Sequence, residues 1–243
     1  MKKLSSIHIF YAVFFTLISC SDLDDDANVR PPEAIDTVLI SQKTTTDADG
    51  NRYETGFNQA GPENQNPFVR KKTPDGQIIW TKIYEATDVD SSGELIQIDE
   101  QGNVWVVFSI DGGSTDATYI NQKEIEPGAF TNTYQSSYGT GGGPRVAVIT
   151  RINPTSGLIT KGSFVTAQLN NGDTNTLSVT STGFNDGNFA FQVTTGAFPP
   201  GTGTSYEKFP GVTDQDRVDG AFKVYYEINF GLTEITRAVL LIE

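Results

Sequence analysis

The chain has 243 residues, of which 30 are acidic and 17 are basic, so its net charge at neutral pH is −13. Such an acidic chain is a poor partner for double-stranded nucleic acid, whose phosphates repel it. A single cysteine and a single histidine exclude an internal disulfide and a histidine-rich zinc site.

An apolar run near the amino terminus predicts an export signal. The run covers residues 7–18 and follows the cationic Met1-Lys2-Lys3. It has the length of the apolar region of a secretory signal, whereas a membrane-spanning helix needs about 20 residues. The run ends in Leu-Ile-Ser-Cys, which resembles the lipobox of bacterial lipoproteins. The resemblance implies that residues 1–19 are cleaved and that Cys20 carries palmitate-type acyl chains. The alternative is an uncleaved membrane anchor with an incidental cysteine.

Residues 20–36 are predicted to be a solvated tether. They begin Cys-Ser-Asp-Leu-Asp-Asp-Asp, contain two prolines and carry no aromatic residue. An acidic run directly after the cysteine resembles the surface-export signal of lipoproteins in the Bacteroidota. The resemblance implies attachment to the outer membrane on the cell surface, with the periplasmic face as the alternative.

Cleavage at this position would change the chemical inventory of the mature chain. His8, Met1 and two lysines would be removed, and the net charge would fall from −13 to −15. Without a histidine or a free thiol, the mature chain has neither a Ser-His-Asp triad nor a cysteine nucleophile. Its stability must come from a packed core, for which residues 37–243 are long enough.

Residues 37–243 are predicted to form an all-β domain. Short apolar, β-branched and aromatic runs alternate with Gly, Asn, Asp and Thr about every ten residues. Gly-Asn dipeptides at 50–51, 102–103 and 187–188 mark hairpin turns, because these residues tolerate positive φ. A second hairpin follows each of them. The pattern therefore predicts three successive units of four antiparallel strands, a propeller-like array.

The second unit resembles a known repeat. The stretches that carry the resemblance are LIQIDEQGNVWVVFS (95–109), PGAFTNTYQSSYGTGGG (127–143) and VAVITRINPTSG (146–157). They resemble the bacterial β-propeller repeat called SBBP, which implies a propeller on an exported protein without a defined chemistry. Closed propellers have about four to eight blades, whereas three units are counted here. The alternatives are a β-sandwich, an open array, or an array completed by association of copies.

Long insertions in two units suggest a binding face. Residues 112–144 and 199–219 join the second and third strands of their units, where the first unit has only residues 58–65. Equivalent insertions in a repeat array emerge on one face, often the binding face. Aromatic residues among small polar ones are also typical of recognition surfaces. The alternative is that these aromatic residues fold back and cover the sheets. They are Tyr119, Phe130, Tyr134, Tyr138, Tyr206 and Phe209.

One acidic segment has the spacing of a calcium loop. Asp88, Asp90 and Ser92, with Asp99 at the twelfth position, match it formally. No helices are predicted beside it, and the predicted strand 94–99 would carry Asp99 away from the ion. We therefore interpret the segment as a polar turn before a strand and expect no cofactor, with calcium as the alternative. Trp105 lies in the most apolar predicted strand and is expected in the core rather than as a sugar platform.

These observations predict a cell-envelope lipoprotein that acts as a non-catalytic binding or structural module. Its expected partners are the membrane, through the lipid, and a glycan or a surface protein, with association of copies as a further expectation. The alternative is a surface carbohydrate-active hydrolase that uses Asp and Glu carboxylates. Such an enzyme should bring several carboxylates together at one mouth of the fold.

Overall fold

The computed structural model describes residues 35–62, 64–84, 90–112 and 115–242. The predicted signal, Cys20 and most of the tether lie outside the described residues. Within the described ranges the regular secondary structure is β-strand, apart from a short α-helix at Asp116–Ile120 and a 3-10 helix at Asp214–Asp216. The all-β prediction is therefore confirmed. The described part of the chain contains no helix long and apolar enough to cross a membrane.

Three four-stranded antiparallel sheets follow one another along the chain, each with its strands in sequence order. The first sheet consists of β1 (Thr44–Thr46), β2 (Arg52–Gly61), β3 (Asn64–Lys72) and β4 (Ile78–Ile83). The second consists of β5 (Ser91–Ile98), β6 (Val104–Ile110), β7 (Val146–Ile152) and β8 (Ile159–Val165). The third consists of β11 (Ser178–Asn185), β12 (Asn188–Thr195), β13 (Phe222–Ile228) and β14 (Ile235–Leu240). A two-stranded sheet of β9 (Ala167–Gln168) and β10 (Thr174–Asn175) lies between the second and third in sequence.

The first hairpins of the first two sheets are held by the same side-chain device. The carboxylates of Asp47 and Asp99 each accept a 2.8 Å hydrogen bond from the backbone N–H four residues ahead. Each also accepts one from the aromatic side chain six residues ahead, at 3.3 Å from Tyr53 and 3.0 Å from Trp105. The repeated sequence pattern thus has a repeated structural role.

The corresponding turn of the third sheet is tighter. Asp186 and Gly187 alone connect its first two strands, with φ angles of 48° and 80°. Positive φ at both central positions is the geometry of a type I′ turn, which matches the right-handed twist of the flanking strands.

The second sheet is buried on both faces. Val106 and Phe108 of β6 belong to one apolar cluster, with residues of the first sheet. Trp105 and Val107 belong to the other, with residues of the third sheet. The Trp105 ring is 1% exposed and stacks on Phe189 with a centroid distance of 4.9 Å. Successive residues of one strand point to opposite faces, so β6 contributes to both clusters. The burial of Trp105 confirms its predicted position in the core.

Residues 37–43 connect the three sheets at their first strands. Ile40 exchanges both backbone hydrogen bonds with Thr182 of β11, at 2.8 and 2.9 Å. Ile96 of β5 donates a 3.0 Å hydrogen bond to the carbonyl of Gln42. Since the segment runs antiparallel to β11, the chain enters the body at the end that carries the β5–β6 and β11–β12 turns. We call this the turn end, and the opposite end, where the long insertions emerge, the loop end.

The insertion between β6 and β7 runs along the free edge of β8. The ammonium of Lys161 in β8 donates to the carbonyls of Thr131 and Asn132, at 2.7 and 3.1 Å. An exposed strand edge is a template for pairing with another chain, and covering it with a loop prevents this. Four backbone hydrogen bonds tie the insertion to the strand: Glu126 to Ile159, Ile159 to Glu124, Gly162 to Ala129 and Phe164 to Gln135.

Candidate functional site

Four of the six aromatic residues predicted for a binding face are buried. Tyr119, Phe130, Tyr134 and Tyr138 are at most 5% exposed, whereas Tyr206 and Phe209 of the third sheet's insertion are partly buried. In this structure the four buried rings pack against the sheets, as the alternative interpretation had it. Because these four rings are buried, they offer no exposed face to a ligand.

Three of these rings surround Phe164 of β8. The centroids of Tyr119, Phe130 and Tyr138 lie 6.4, 5.4 and 5.6 Å from that of Phe164. Aromatic pairs at such separations stabilise a core beyond the area that they bury. The insertion is therefore fastened to the second sheet by an aromatic cluster.

Tyr134 lies on the other side of β8, in the core shared with the third sheet, and there the structure brings it close to Tyr206. Burial raises the pKa of Tyr134, and the neighbouring Tyr206 and Glu207 add to the effect. Burial also raises the pKa of Tyr206 to about 12, although a hydrogen bond involving the Gln168 backbone opposes it. The Tyr206 hydroxyl donates to the Phe198 carbonyl at 3.1 Å. Both phenols therefore stay protonated at neutral pH.

Two carboxylates of the calcium-like segment, those of Asp90 and Asp99, accept hydrogen bonds from separate parts of the fold. Asp88 lies outside the described residues, and Asp90 accepts a 3.0 Å hydrogen bond from the backbone N–H of Gln65. Asp99 is held in the β5–β6 turn, and β5, which separates it from Asp90, is about 25 Å long at the usual rise per residue. An extended strand between the two aspartates keeps them at opposite ends of the fold. Among the described residues no group of three or more carboxylate, histidine or cysteine side chains is placed to hold a metal ion.

A polar cleft of about 330 Å³ lies at the loop end, between the first and second sheets and beside the neck of the long insertion. We call it the loop-end cleft. It combines three carboxylates, three hydroxyls, an amide and a guanidinium. Its lining residues are Gln65, Asp90, Ser91, Ser92, Glu94, Ser109, Asp111, Pro144 and Arg145.

Glu94 is oriented by its neighbours in this cleft. Its Oε1 accepts a 2.7 Å hydrogen bond from the Ser109 hydroxyl and lies 3.8 Å from Nη1 of Arg145. Its Oε2 lies 3.4 Å from Nζ of Lys43. The carboxylate is thus held in place with its charge partly compensated, while the Arg145 side chain remains 59% exposed.

Asp111 has an altered acidity. Burial raises the pKa of its carboxyl, the charge of Asp90 raises it further, and Arg145 opposes both effects. The backbone N–H of Asp111 donates to the Asp90 carbonyl at 2.9 Å, which keeps the two residues side by side. The cleft therefore contains one acid with a raised pKa beside carboxylates that are hydrogen-bonded or paired.

Glycines close the neck of the insertion next to the cleft. A Cβ atom on Gly112 would lie 2.3 Å from Cα of Gly142, so neither position has room for a side chain. The N–H of Gly112 donates to the Gly143 carbonyl at 2.7 Å. The close approach of Gly112 and Gly142 thus fixes the backbone shortly before Arg145, which directly precedes β7.

Sequence reasoning missed this cleft, since its residues come from separate segments and share no local pattern. The sequence indicated only the end of the array at which the cleft lies, through the expectation that the insertions emerge at one end. No family model matches the chain, and no curated protein matches it.

Proposed function

We propose that the chain is a lipid-anchored protein of the bacterial outer membrane, exposed at the cell surface, whose β body is a non-catalytic binding module for glycans. The Leu-Ile-Ser-Cys sequence supports the anchor, and the acidic run after Cys20 supports surface export. The periplasmic face of the same membrane is the alternative location.

A propeller-like arrangement of the body is part of the proposal. Each large sheet has its four strands in sequence order, and β5 contacts strands of both neighbouring sheets, including β1 and β11. Blades of a propeller have this strand order and meet at their first strands. Three such sheets are fewer than a closed ring contains, so the proposed body is an open array.

The loop-end cleft is the observation that supports a glycan ligand. A sugar presents hydroxyls that both donate and accept hydrogen bonds, and such ligands are oriented by a few well-placed polar groups. Asp90, Glu94 and Asp111 supply acceptors, and Arg145 supplies donors. Phe57, which is 44% exposed, lies on the same face of the β2–β3 hairpin as Gln65. An exposed ring beside a polar cleft is suited to stack on the apolar face of a sugar.

The entry point of the chain supports the same assignment. Residues 37–40 enter the body at the turn end, whereas the cleft lies at the loop end. A body tethered at the turn end has its loop end free for a ligand outside the cell. Titration of the full chain with a panel of soluble polysaccharides by calorimetry tests the proposal, and saturable binding to at least one of them is expected.

A carbohydrate-active hydrolase is the second candidate function, and Asp111 is the observation that favours it. Glycoside hydrolysis uses one carboxylic acid with a raised pKa and a second carboxylate across the scissile bond. The raised pKa of Asp111 beside Asp90 has this character. Release of reducing ends by the full chain, lost in Asp111→Asn, would assign hydrolysis. The binding proposal predicts that no reducing ends appear.

A further inference from the structure

A second cleft lies at the turn end, between the β5–β6 turn of the second sheet and the β11–β12 turn of the third. Its volume is about 430 Å³, which is in the range of ligand-binding pockets. We call it the turn-end cleft. Its lining residues are Val38, Ile40, Gln97, Ile98, Asp99, Glu100, Gln101, Gly183, Phe184, Asp186 and Gly187.

Part of this cleft is apolar and exposed. Val38 is 80% exposed and Ile40 is 41% exposed, and both lie on the extended segment that enters the body. The segment is held in place, because Ile40 is bonded to Thr182 on both its N–H and its carbonyl. A Cβ atom on Gly183 would lie 2.4 Å from the Val38 carbonyl oxygen, so only glycine allows this close approach. The apolar side chains are therefore presented by fixed backbone.

The polar part of the cleft is acidic. Glu100 and Asp186 are exposed and make no hydrogen bond or ion pair within the described part of the chain. The carboxylate of Asp99 is occupied by its own turn. Arg151, whose charge interacts with that of Asp99, lies 3.7 Å over the ring of Phe230 and does not line the cleft. The lining therefore carries negative charge without a compensating side chain.

We propose that the turn-end cleft docks an extended segment of a partner protein in which a Lys or Arg side chain is flanked by apolar residues. The apolar neighbours would cover Val38 and Ile40, whose side chains share one face of an extended backbone because they are two residues apart. The cationic side chain would reach Glu100 and Asp186, and such charge complementarity speeds encounter and selects the partner.

The charge of the chain argues against a second copy as the occupant. With a net charge of −13, two copies repel each other. A basic segment of another protein is attracted to the same surface. The inference is independent of the glycan proposal, since the two clefts share no lining residue.

The test uses the full chain and a fluorescein-labelled dodecapeptide of alternating Ile and Lys, with fluorescence anisotropy as the readout. We expect saturable binding that weakens by at least about tenfold in Glu100→Gln/Asp186→Asn, because both rim charges are lost. Val38→Ser should weaken binding as well. The matched control, Glu207→Gln/Glu234→Gln, removes two exposed charges that do not line the cleft and should leave binding unchanged.

Three results would overturn the proposal. The first is that Glu100→Gln/Asp186→Asn and Glu207→Gln/Glu234→Gln bind the Ile-Lys dodecapeptide with equal affinity. The second is that the parent binds a Ser-Lys dodecapeptide as tightly as the Ile-Lys one. Either result means that the attraction between peptide and protein is unspecific. The third is a concentration-dependent dimer that disappears in Glu100→Gln/Asp186→Asn, which would make a second copy the occupant. Arg145→Ala, in the loop-end cleft, should bind the dodecapeptide as the parent does, so the two proposals fail separately.

Discussion

The ring of Phe130 lies directly over the backbone of Gly162. A Cβ atom at Gly162 would lie 2.5 Å from Cζ of that ring, well inside van der Waals contact. Phe130 is 5% exposed and packs against Phe164 and Tyr119, so the ring has little room to move aside. The missing side chain of Gly162 is what lets the insertion close over β8.

Gly162→Ala should therefore destabilise the body. Overpacking of a filled core typically costs about 1–3 kcal/mol, and we expect about 2 kcal/mol in the free energy of unfolding measured with urea. Gly196→Ala is the matched control, because a Cβ atom at Gly196 would meet no atom within 4 Å. Equal effects of the two substitutions would contradict the role assigned to Gly162.

The buried tyrosines should behave as core residues. Tyr138→Ala removes a ring that is 4% exposed, and truncation of a buried aromatic residue costs about 3–5 kcal/mol. Tyr206 is only partly buried, so Tyr206→Ala should lower the free energy of unfolding by less than about half as much, because less buried apolar surface is lost. Thermal unfolding of both variants provides the measurement. An unchanged midpoint for Tyr138→Ala would show that the insertion is not fastened by this cluster.

Glu227 should make the stability depend on pH. Its carboxylate is 4% exposed. Burial alone would raise its pKa, but hydrogen bonds from Asn185, Tyr225, Arg237 and Asn188 outweigh burial and lower the pKa below its usual 4.5. A carboxylate with a lowered pKa in the folded state stabilises it above the unfolded pKa, and this contribution is lost as the pH falls through the folded pKa.

Glu227→Gln should consequently lower the free energy of unfolding by about 3 kcal/mol at pH 7, since it breaks the largely buried ion pair between Glu227 and Arg237. The difference from the parent should shrink as the pH falls below 4.5 and through the lowered folded-state pKa, because the parent carboxylate then also becomes neutral. Urea titrations from pH 3 to pH 8 measure this difference. Glu207→Gln, at an exposed position, is the control, and a pH-independent difference for Glu227→Gln would count against the account.

Cys20 should determine whether the protein partitions with the membrane. If the thiol carries acyl chains, Cys20→Ser releases the body in soluble form, because several chains together give stable anchoring. Detergent phase partition of the parent and the variant is the measurement. Detergent partition of Cys20→Ser equal to that of the parent would refute lipid anchoring. External protease on intact cells then separates the two locations, since a periplasmic body would be protected.

The hairpins and the three sheets could be predicted from sequence because their signals are local. A turn with positive φ favours Gly at a fixed position, and Gly50, Gly102 and Gly187 supply it, whereas the asparagines that follow them do not adopt positive φ. The β-branched and aromatic runs on either side then define the strands. The two-sided burial of β6 follows from its continuous apolar sequence.

The fate of the insertions could not be predicted in this way. Rings among small polar residues have the same composition on a recognition surface and over a sheet edge. The deciding contact joins Phe130 to Gly162, 32 positions apart, and its cause is an absent Cβ atom. The loop-end cleft is likewise assembled from Gln65, Asp90 and Arg145, which only the sheet packing brings together.

Arg145→Ala provides the most direct test of glycan binding at the loop-end cleft. Its side chain is 59% exposed, so the substitution should leave stability nearly unchanged. Arg52→Ala, exposed at the start of β2 and away from the cleft, is the matched control. With a polysaccharide that the parent binds, calorimetry should show affinity reduced about tenfold or more in Arg145→Ala and retained in Arg52→Ala. Unchanged affinity in Arg145→Ala would contradict the assignment of the cleft as the binding site.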